Sequence, residues 1–291
     1  MFRITQRSMA DTTYANLQSS LSRSSRLQEQ LSSGKQVSKP SDSPSGAADI
    51  MQLRAERAAN AQYVRNADNG LSWLSTADTA LQLSSTAVIH AQELAVRGGN
   101  ASIGQAGRDA IAAELRGVRD SLVELANTQY LGRPVFGGTT VGAVAFDPAG
   151  AYVGDGGTVE RRVGAASSVR VDVDGAAAYG SGPGSLFATL DAVIADLEAG
   201  ASSSPHLTAL GASLEKLTGA LSDVGARTNR IENLKTKADD AGITLRSAQS
   251  QIEDIDLPKA ILELQLQSTA YQAALGATAR VLQPTLLDFL R

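Results

Sequence analysis

The sequence predicts a mainly α fold: long helices at both ends of the chain, with a small β-rich insert between them. Three observations carry this. Neither Gly nor Pro occurs before Gly34, whereas 13 of the 27 glycines fall between Gly132 and Gly184, so the backbone punctuation is concentrated in one central stretch. Hydrophobic residues make up 43% of the 291 residues but aromatics only 4%; Ala and Leu supply most of the apolar surface, as in helices packed through narrow seams. Outside the central stretch apolar residues recur at steps of three and four, and inside it they alternate.

Taken in order, the first helix starts after Thr5, a residue suited to an N-cap, and carries Tyr14, Leu17, Leu21, Leu27 and Leu31 at helical spacing. Gly34 to Gly46 contains Pro40, Ser41, Asp42, Ser43 and Pro44, which is breaker and cap chemistry. A long helix follows from about Ala47 to Arg97, with a seam at Leu74, Ala77, Leu81, Ser84, Val88, Ala91 and Ala95, a coiled-coil rhythm. Gly98-Gly99 ends it, and the next helix covers about Gln105 to Gln129 with Ile111, Leu115, Val118, Leu122 and Leu125 in the same rhythm.

The insert changes period. Val169, Val171 and Val173 alternate with Arg170, Asp172 and Asp174, the pattern of a half-buried strand. Thr158 to Val163 and Val141 to Phe146 are weaker strand candidates, with turn signals at Asp147-Pro148, Asp155-Gly156-Gly157 and Asp174-Gly175. Helical period then returns. Leu186, Leu190, Val193 and Leu197 form a short helix, and Leu207, Leu210, Leu214, Leu217, Leu221 and Val224 open a longer one. Its heptads continue through Ile231, Leu234, Ala238, Ala241, Leu245, Ala248, Ile252 and Ile255, and Pro258 breaks or kinks it. The last helix carries Ile261, Leu264, Tyr271, Leu275 and Leu282 before Pro284.

The middle seams read as an intramolecular bundle. The terminal helices do not read so simply. The first 33 residues hold eight large apolar side chains beyond Met1, too few to offset the entropy of ordering them as an isolated pair. Either these helices dock on the rest of the chain, or they order when other subunits cover them. The sequence leaves both open.

Several chemistries are disfavoured. There are no cysteines, which excludes disulfides, thiolate metal ligands and thiol nucleophiles. His90 and His206 are the only histidines and sit in separate elements, without the spacing of a metal site or a triad. Asp172-Val173-Asp174-Gly175 lacks the remaining ligands of a calcium loop. Gly34-Lys35 lacks the preceding glycine of a phosphate loop, and Asn100-Ala101-Ser102 is an isolated glycosylation triplet. No catalytic, cofactor or metal site is expected. The net charge of −4, with both signs interspersed, offers no footprint for nucleic acid. No apolar run reaches the roughly 18–20 residues of a membrane span, and no apolar signal-peptide region follows Met1.

Three stretches carry a family resemblance. Leu31-Ser32-Ser33-Gly34 through Pro40, Asp42 and Ala48, together with Asn66-Ala67-Asp68-Asn69-Gly70, resembles the amino-terminal signature of the flagellin family. Gly225-Ala226-Arg227-Thr228-Asn229-Arg230, Ser250-Gln251-Ile252-Glu253-Asp254-Ile255-Asp256 and the ending Leu286-Leu287-Asp288-Phe289-Leu290-Arg291 resemble its carboxy-terminal segments. Tyr130-Leu131-Gly132-Arg133-Pro134-Val135-Phe136-Gly137-Gly138 and the opening Phe2-Arg3-Ile4-Thr5 are similar to the hook-associated protein 3 branch. Pro134 departs from that branch, which carries an aromatic there, so the hairpin's first strand is less well supported.

The resemblance implies a flagellin-like coiled-coil rod with paired N- and C-terminal helices. Residues 1–33 with 257–291 would form an inner axial layer, 34–134 with 185–256 a helical rod domain, and 135–184 an outer β-rich insert. It implies a structural flagellar subunit, not an enzyme, that joins the hook to the filament. Export would be in the unfolded state, through the flagellar type III route, to an extracellular site, with the termini ordering on assembly. Partners implied are sister copies in a ring, the first hook-associated protein, flagellin and an export chaperone, with neither nucleic acid nor membrane. The subunit-interface residues would be Ile4, Tyr14, Leu17, Leu21, Leu27, Leu31, Ile261, Leu264, Tyr271, Leu275, Leu282, Leu286, Leu287 and Leu290. Gln265, Ser268 and Gln272, in a helix without charge from Leu264 to Ala279, would line an axial channel. Filament flagellin itself, and a cytosolic coiled-coil scaffold or chaperone, are the competing readings.

Overall fold

The structure is a computed structural model and describes residues 6–142 and 144–281. Among the described residues, seven α-helices and four short strands follow in the order α1 (Gln6–Ser33), α2 (Pro44–Gly98), α3 (Gln105–Ala126), β1 (Gln129–Tyr130), β2 (Arg133–Pro134), β3 (Glu160–Arg162), β4 (Ser168–Arg170), α4 (Gly175–Tyr179), α5 (Leu186–Glu198), α6 (Leu207–Glu253) and α7 (Leu257–Val281). The chain divides into two compact units, Met1–Ala58 with Gly242–Arg291, and Ala59–Ala241. The expected layer boundaries at 33/34 and 256/257 fall inside the first unit. They lie at the end of α1 and in the break between α6 and α7.

In the first unit α1 packs against α7. The chain then turns at Gly34, whose φ of +69° is a left-handed conformation that suits glycine. Asp42 Oδ2 accepts hydrogen bonds from the backbone N–H groups of Ser38 (3.2 Å) and Lys39 (2.9 Å), which tightens the following turn. Ser43 Oγ accepts from the N–H of Gly46 at 3.2 Å, and Pro44 occupies the first helical position of α2. Both are N-terminal helix signals. The expected N-cap at Thr5 and the stop at Pro284 lie outside the described residues.

The second unit holds the main core. Every position of the seam read in α2, from Leu74 and Ala77 through Leu81, Ser84, Val88 and Ala91 to Ala95, is fully buried. Leu115 and Leu122 of α3 and Leu186, Leu190, Val193 and Leu197 of α5 join the same cluster. From α6, Leu210, Leu217, Val224 and Ile231 contribute the remaining wall. Beyond that point the heptad continues on the covered face through Leu234, Ala238, Leu245, Ala248, Ile252 and Ile255, with Ala241 alone exposed among its positions.

The β region is smaller than the alternation suggested. β3 and β4 pair antiparallel with Arg161 opposite Val169, and Val169, Val171 and Val173 all point into the core. The described residues of the expected strand from Val141 to Phe146 do not form one. Asn127 takes its backbone groups instead, accepting from the N–H of Ala145 (2.7 Å) and Phe146 (2.9 Å) and donating to the Phe146 carbonyl (2.9 Å). Only the bridge Phe146–Tyr152 remains. The few aromatics are gathered here: Phe146 lies 5.2–5.5 Å from Tyr152, Phe187 and Tyr179, and Phe136 meets Tyr179 edge-on. The β1–β2 hairpin forms despite Pro134, which lies in its second strand and not, as expected, in its first. That residue sits opposite Gln129, next to the bonded pair in which Val135 N–H donates to the Thr128 carbonyl. Antiparallel alternation places Pro134 in a non-hydrogen-bonded pair, where a missing N–H is tolerated.

Candidate functional site

The α1–α7 pair is built on a narrow, half-buried seam. On α1 it runs through Thr13, Leu17, Ser20, Ser24, Leu27 and Leu31; on α7 it runs through Ala260, Leu264, Gln267, Tyr271 and Thr278. Steps of three and four keep both rows on one face. Gln267 Nε2 donates to Ser20 Oγ at 2.7 Å, and Lys35 bridges Asp254 further along. As one partner advances from 20 to 35 the other recedes from 267 to 254, so the helices run antiparallel.

This arrangement divides the residues expected at a subunit interface. Leu17, Leu27, Leu31, Leu264 and Tyr271 are half-buried in the seam between the chain's own helices. Tyr14 (70% exposed), Leu21 (56%), Ile261 (48%) and Leu275 (43%) remain open. Gln265, Ser268 and Gln272 are exposed as well. Ile4, Leu282, Leu286, Leu287 and Leu290 lie outside the described residues. Sequence reading passed over Leu262 and Leu266, which are 57% and 62% exposed. The signal was present: Leu262, Leu264 and Leu266 alternate along a helix, which must put apolar residues on more than one face.

A polar clip fastens the α1–α2 turn to the end of α6. Glu253 is buried, and its carboxylate accepts from Lys35 Nζ and Arg54 Nη2, each at 2.6 Å, and from Gln249. Its backbone carbonyl accepts from the N–H of Gln36 at 2.7 Å, while Ile255 N–H donates to the Gly34 carbonyl at 3.1 Å. Burial would raise the Glu253 pKa; the hydrogen bonds from Lys35, Gln249 and Arg54 outweigh it and hold the carboxylate down at about 2.

The two motifs of the second unit tie α2, α6 and the insert together. Asn66 Nδ2 donates to the Arg162 carbonyl (2.7 Å), Asp68 receives Lys235 Nζ (2.5 Å), and Asn69 Oδ1 accepts from Arg161 Nε (2.8 Å). Arg161 also lies over the Trp73 ring at 5.6 Å. Arg227 Nη1 donates to the Asp172 carbonyl at 2.9 Å. Asp172 itself corrects the alternation: expected on the polar face, it is fully buried. Its carboxylate accepts from Arg170 Nη2 (2.7 Å) and from the N–H of Val159 (2.6 Å), so the charge is compensated. Asp174 caps α4, accepting from the N–H groups of Ala176 and Ala177. His90 faces Glu114 at 3.1 Å and His206 faces Asp196 at 2.8 Å. Among the described residues no cluster of three or more His, Cys, Asp or Glu could hold a metal ion, and no helix is long and apolar enough to cross a membrane.

Together these features define a helical protein with an inserted β region and antiparallel first and last helices that leave apolar side chains open. Residues 4–140 match the family model of the bacterial flagellin N-terminal helical region, and residues 207–290 that of the C-terminal helical region. The chain belongs to the flagellin family. Within it the likeness runs to the hook-associated protein 3 branch. The chain is 27% identical to flagellar hook-associated protein 3 of Salmonella typhimurium, over 94% of each chain. It is 29% identical to that of Escherichia coli, over 86% of this chain and 87% of the relative. A flagellin of Halalkalibacterium halodurans is 24% identical over 94% of this chain and 93% of the relative. Among solved structures, a putative flagellar hook-associated protein from Vibrio parahaemolyticus has a TM-score of 0.68 at 23% identity, covering 73% of this chain and 100% of that one. The hook-associated protein-3 of Legionella pneumophila has a TM-score of 0.63 at 14% identity, covering 70% and 98%. These two establish likeness of fold.

Proposed function

We propose that this chain is the structural adaptor between the flagellar hook and the filament, a subunit of the axial structure and not an enzyme. The observation that carries the reading is the α1–α7 pair. Its seam is half-covered by the chain itself, while Tyr14, Leu21, Ile261, Leu266 and Leu275 stay open on a member of the flagellin family. Exposed apolar side chains of this density mark a surface that another molecule covers. Sister copies in a ring, the first hook-associated protein on one side and flagellin on the other are the partners this role requires. The chain reaches them by export in an unfolded state through the flagellar type III route, with a chaperone shielding its termini beforehand.

A deletion strain tests the role. Intact hooks with flagellin shed into the medium support it; normal filaments refute it. The likeness to a filament flagellin keeps one competing reading in view. Quantitative mass spectrometry of sheared flagella separates the two, because a junction protein is present in few copies and a filament protein in thousands.

A further inference from the structure

An open groove of about 680 Å³ runs in the first unit between α2 and the last turns of α6, beside the Glu253 clip. The two helices are antiparallel there: Arg54 reaches Glu253 and Arg57 reaches Gln249, so one advances as the other recedes. Cations outnumber carboxylates in the groove lining by three to two, in a chain whose net charge is −4. These charges are sorted along its length. At one end Lys35 serves the buried Glu253, and Asp254 accepts from the hydroxyl of Ser250 at 2.5 Å. At the other stand Arg57 and Arg246, and among the described residues neither pairs with a carboxylate. Arg57 is held in place without being neutralised. Its Nη1 donates to Gln249 Oε1 at 2.5 Å, and Gln249 in turn donates to Glu253, which leaves the rest of the Arg57 donor fork free. Beside Arg246, the hydroxyl of Ser247 has no partner among the described residues. Ser213, Thr218, Ser222 and Thr236 of the same helix instead return theirs to the carbonyl four residues back.

We propose that Arg57, Arg246 and Ser247 form a binding site for a tetrahedral oxyanion of the phosphate class. Two guanidinium groups that share a groove repel each other, and a divalent anion between them removes that repulsion while accepting from both. A neutral ligand would leave both charges uncompensated, and a cation would add to them. Two helices here bring three donor groups to one place. A planar carboxylate has two oxygens to offer them, whereas phosphate has enough for each donor to find its own. The clip at the far end does not compete for the anion, because the Glu253 carboxylate is buried and already met by Lys35 and Arg54. A bound oxyanion would tie α2 to α6 about two helical turns from that clip. The site is complete within one chain, so it stands apart from the assembly role proposed above.

Nuclear magnetic resonance of the full, isotope-labelled chain tests this. Inorganic phosphate replaces chloride stepwise at constant ionic strength, so that general screening does not change. The expected result is saturable shifts at the amides of Arg57, Arg246 and Ser247, with a Kd in the millimolar range or below. Arg246→Gln and Arg57→Gln should each weaken binding about tenfold and Ser247→Ala about threefold. Arg230→Gln, exposed on the same helix and outside the groove, should leave affinity unchanged. Arg246 is exposed and makes no bond to the described residues, so its variant keeps the fold and is read through affinity alone. Unchanged affinity in both arginine variants overturns the assignment. So does a shift that never saturates, or an equal loss in Arg230→Gln. Acetate is the second arm and stands for a carboxylate carried by another protein; it should bind about tenfold more weakly than phosphate. Equal affinity for acetate would make the groove a socket for an acidic side chain, and the phosphate class would be overturned.

Discussion

Lys35 Nζ lies 2.6 Å from Glu253 Oε1, joining residues 218 positions apart in the chain. Arg54 reaches the same oxygen, so one buried carboxylate holds the α1–α2 turn and the start of α2 against the end of α6. Replacing Glu253 by Gln leaves a hydrogen-bonding group of the same shape without the charge. The expected loss is about 1–3 kcal/mol of stability in the first unit. Hydrogen exchange should rise at the amides of Gln36 and Ile255, whose bonds bracket the clip.

The same carboxylate gives the first unit an acid-sensitive contact. Burial alone would push its pKa up, but the hydrogen bonds from Lys35, Gln249 and Arg54 hold it at about 2, below the ordinary 4.5. A depressed pKa means the contribution is complete above about pH 4.5 and disappears as pH falls toward 2. Protection of the Gln36 amide should therefore decline across that window in the native chain. In Glu253→Gln it should show no such step, and identical profiles would refute the assignment.

Gly150 has a φ of +84°, and a Cβ there would stand 2.4 Å from Cβ of Phe187. Both the left-handed backbone and the aromatic wall reject a side chain. Gly150→Ala should lower stability by about 2–4 kcal/mol, strain and overpacking each supplying a share. Thermal unfolding of the full chain reads this directly.

The long helices were legible because their signal is redundant. Seven seam positions of α2, from Leu74 to Ala95, each repeat the same instruction, and all are buried. Pro44, Ser43 and Pro258 likewise act locally, through caps and missing donors. What escaped depends on partners distant in sequence. Asp172 reads as a solvent-facing residue until Arg170 and the Val159 amide close on it. Val141 to Phe146 loses its strand to the side chain of Asn127. On α7 the half-buried seam and the exposed positions both hold Leu and Gln, so periodicity located the helix but could not say which residues its own chain covers. Tyr271 is half-buried in the seam while Leu275, one turn on, stays exposed.

Asp172 supplies a further prediction. Its carboxylate is fully buried and accepts from Arg170 and Val159, while its backbone carbonyl receives Arg227 of α6. Asp172→Ala leaves the Val159 donor and the Arg170 guanidinium without their acceptor. An expected loss of about 2–3 kcal/mol follows from unsatisfied, charge-assisted hydrogen bonds. Asp172→Asn should recover part of it, since an amide oxygen still accepts from Val159.

One position should move the other way. Gly219 lies in the interior of α6, exposed, with a helical backbone and nothing within 4 Å of where a Cβ would stand. Glycine there weakens the helix because the unfolded chain has more freedom to lose and no side chain shields the backbone. Alanine meets no atom and needs no change of backbone, so Gly219→Ala should stabilise by about 0.5–1 kcal/mol. Gly98 provides the contrast within the same unit, because its added Cβ would approach Leu197 Cδ2 at 2.6 Å. A paired denaturation experiment on Gly219→Ala and Gly98→Ala should thus give midpoints on opposite sides of the native value. Should both fall below it, open space at Gly219 would be the wrong account of why glycine is tolerated there.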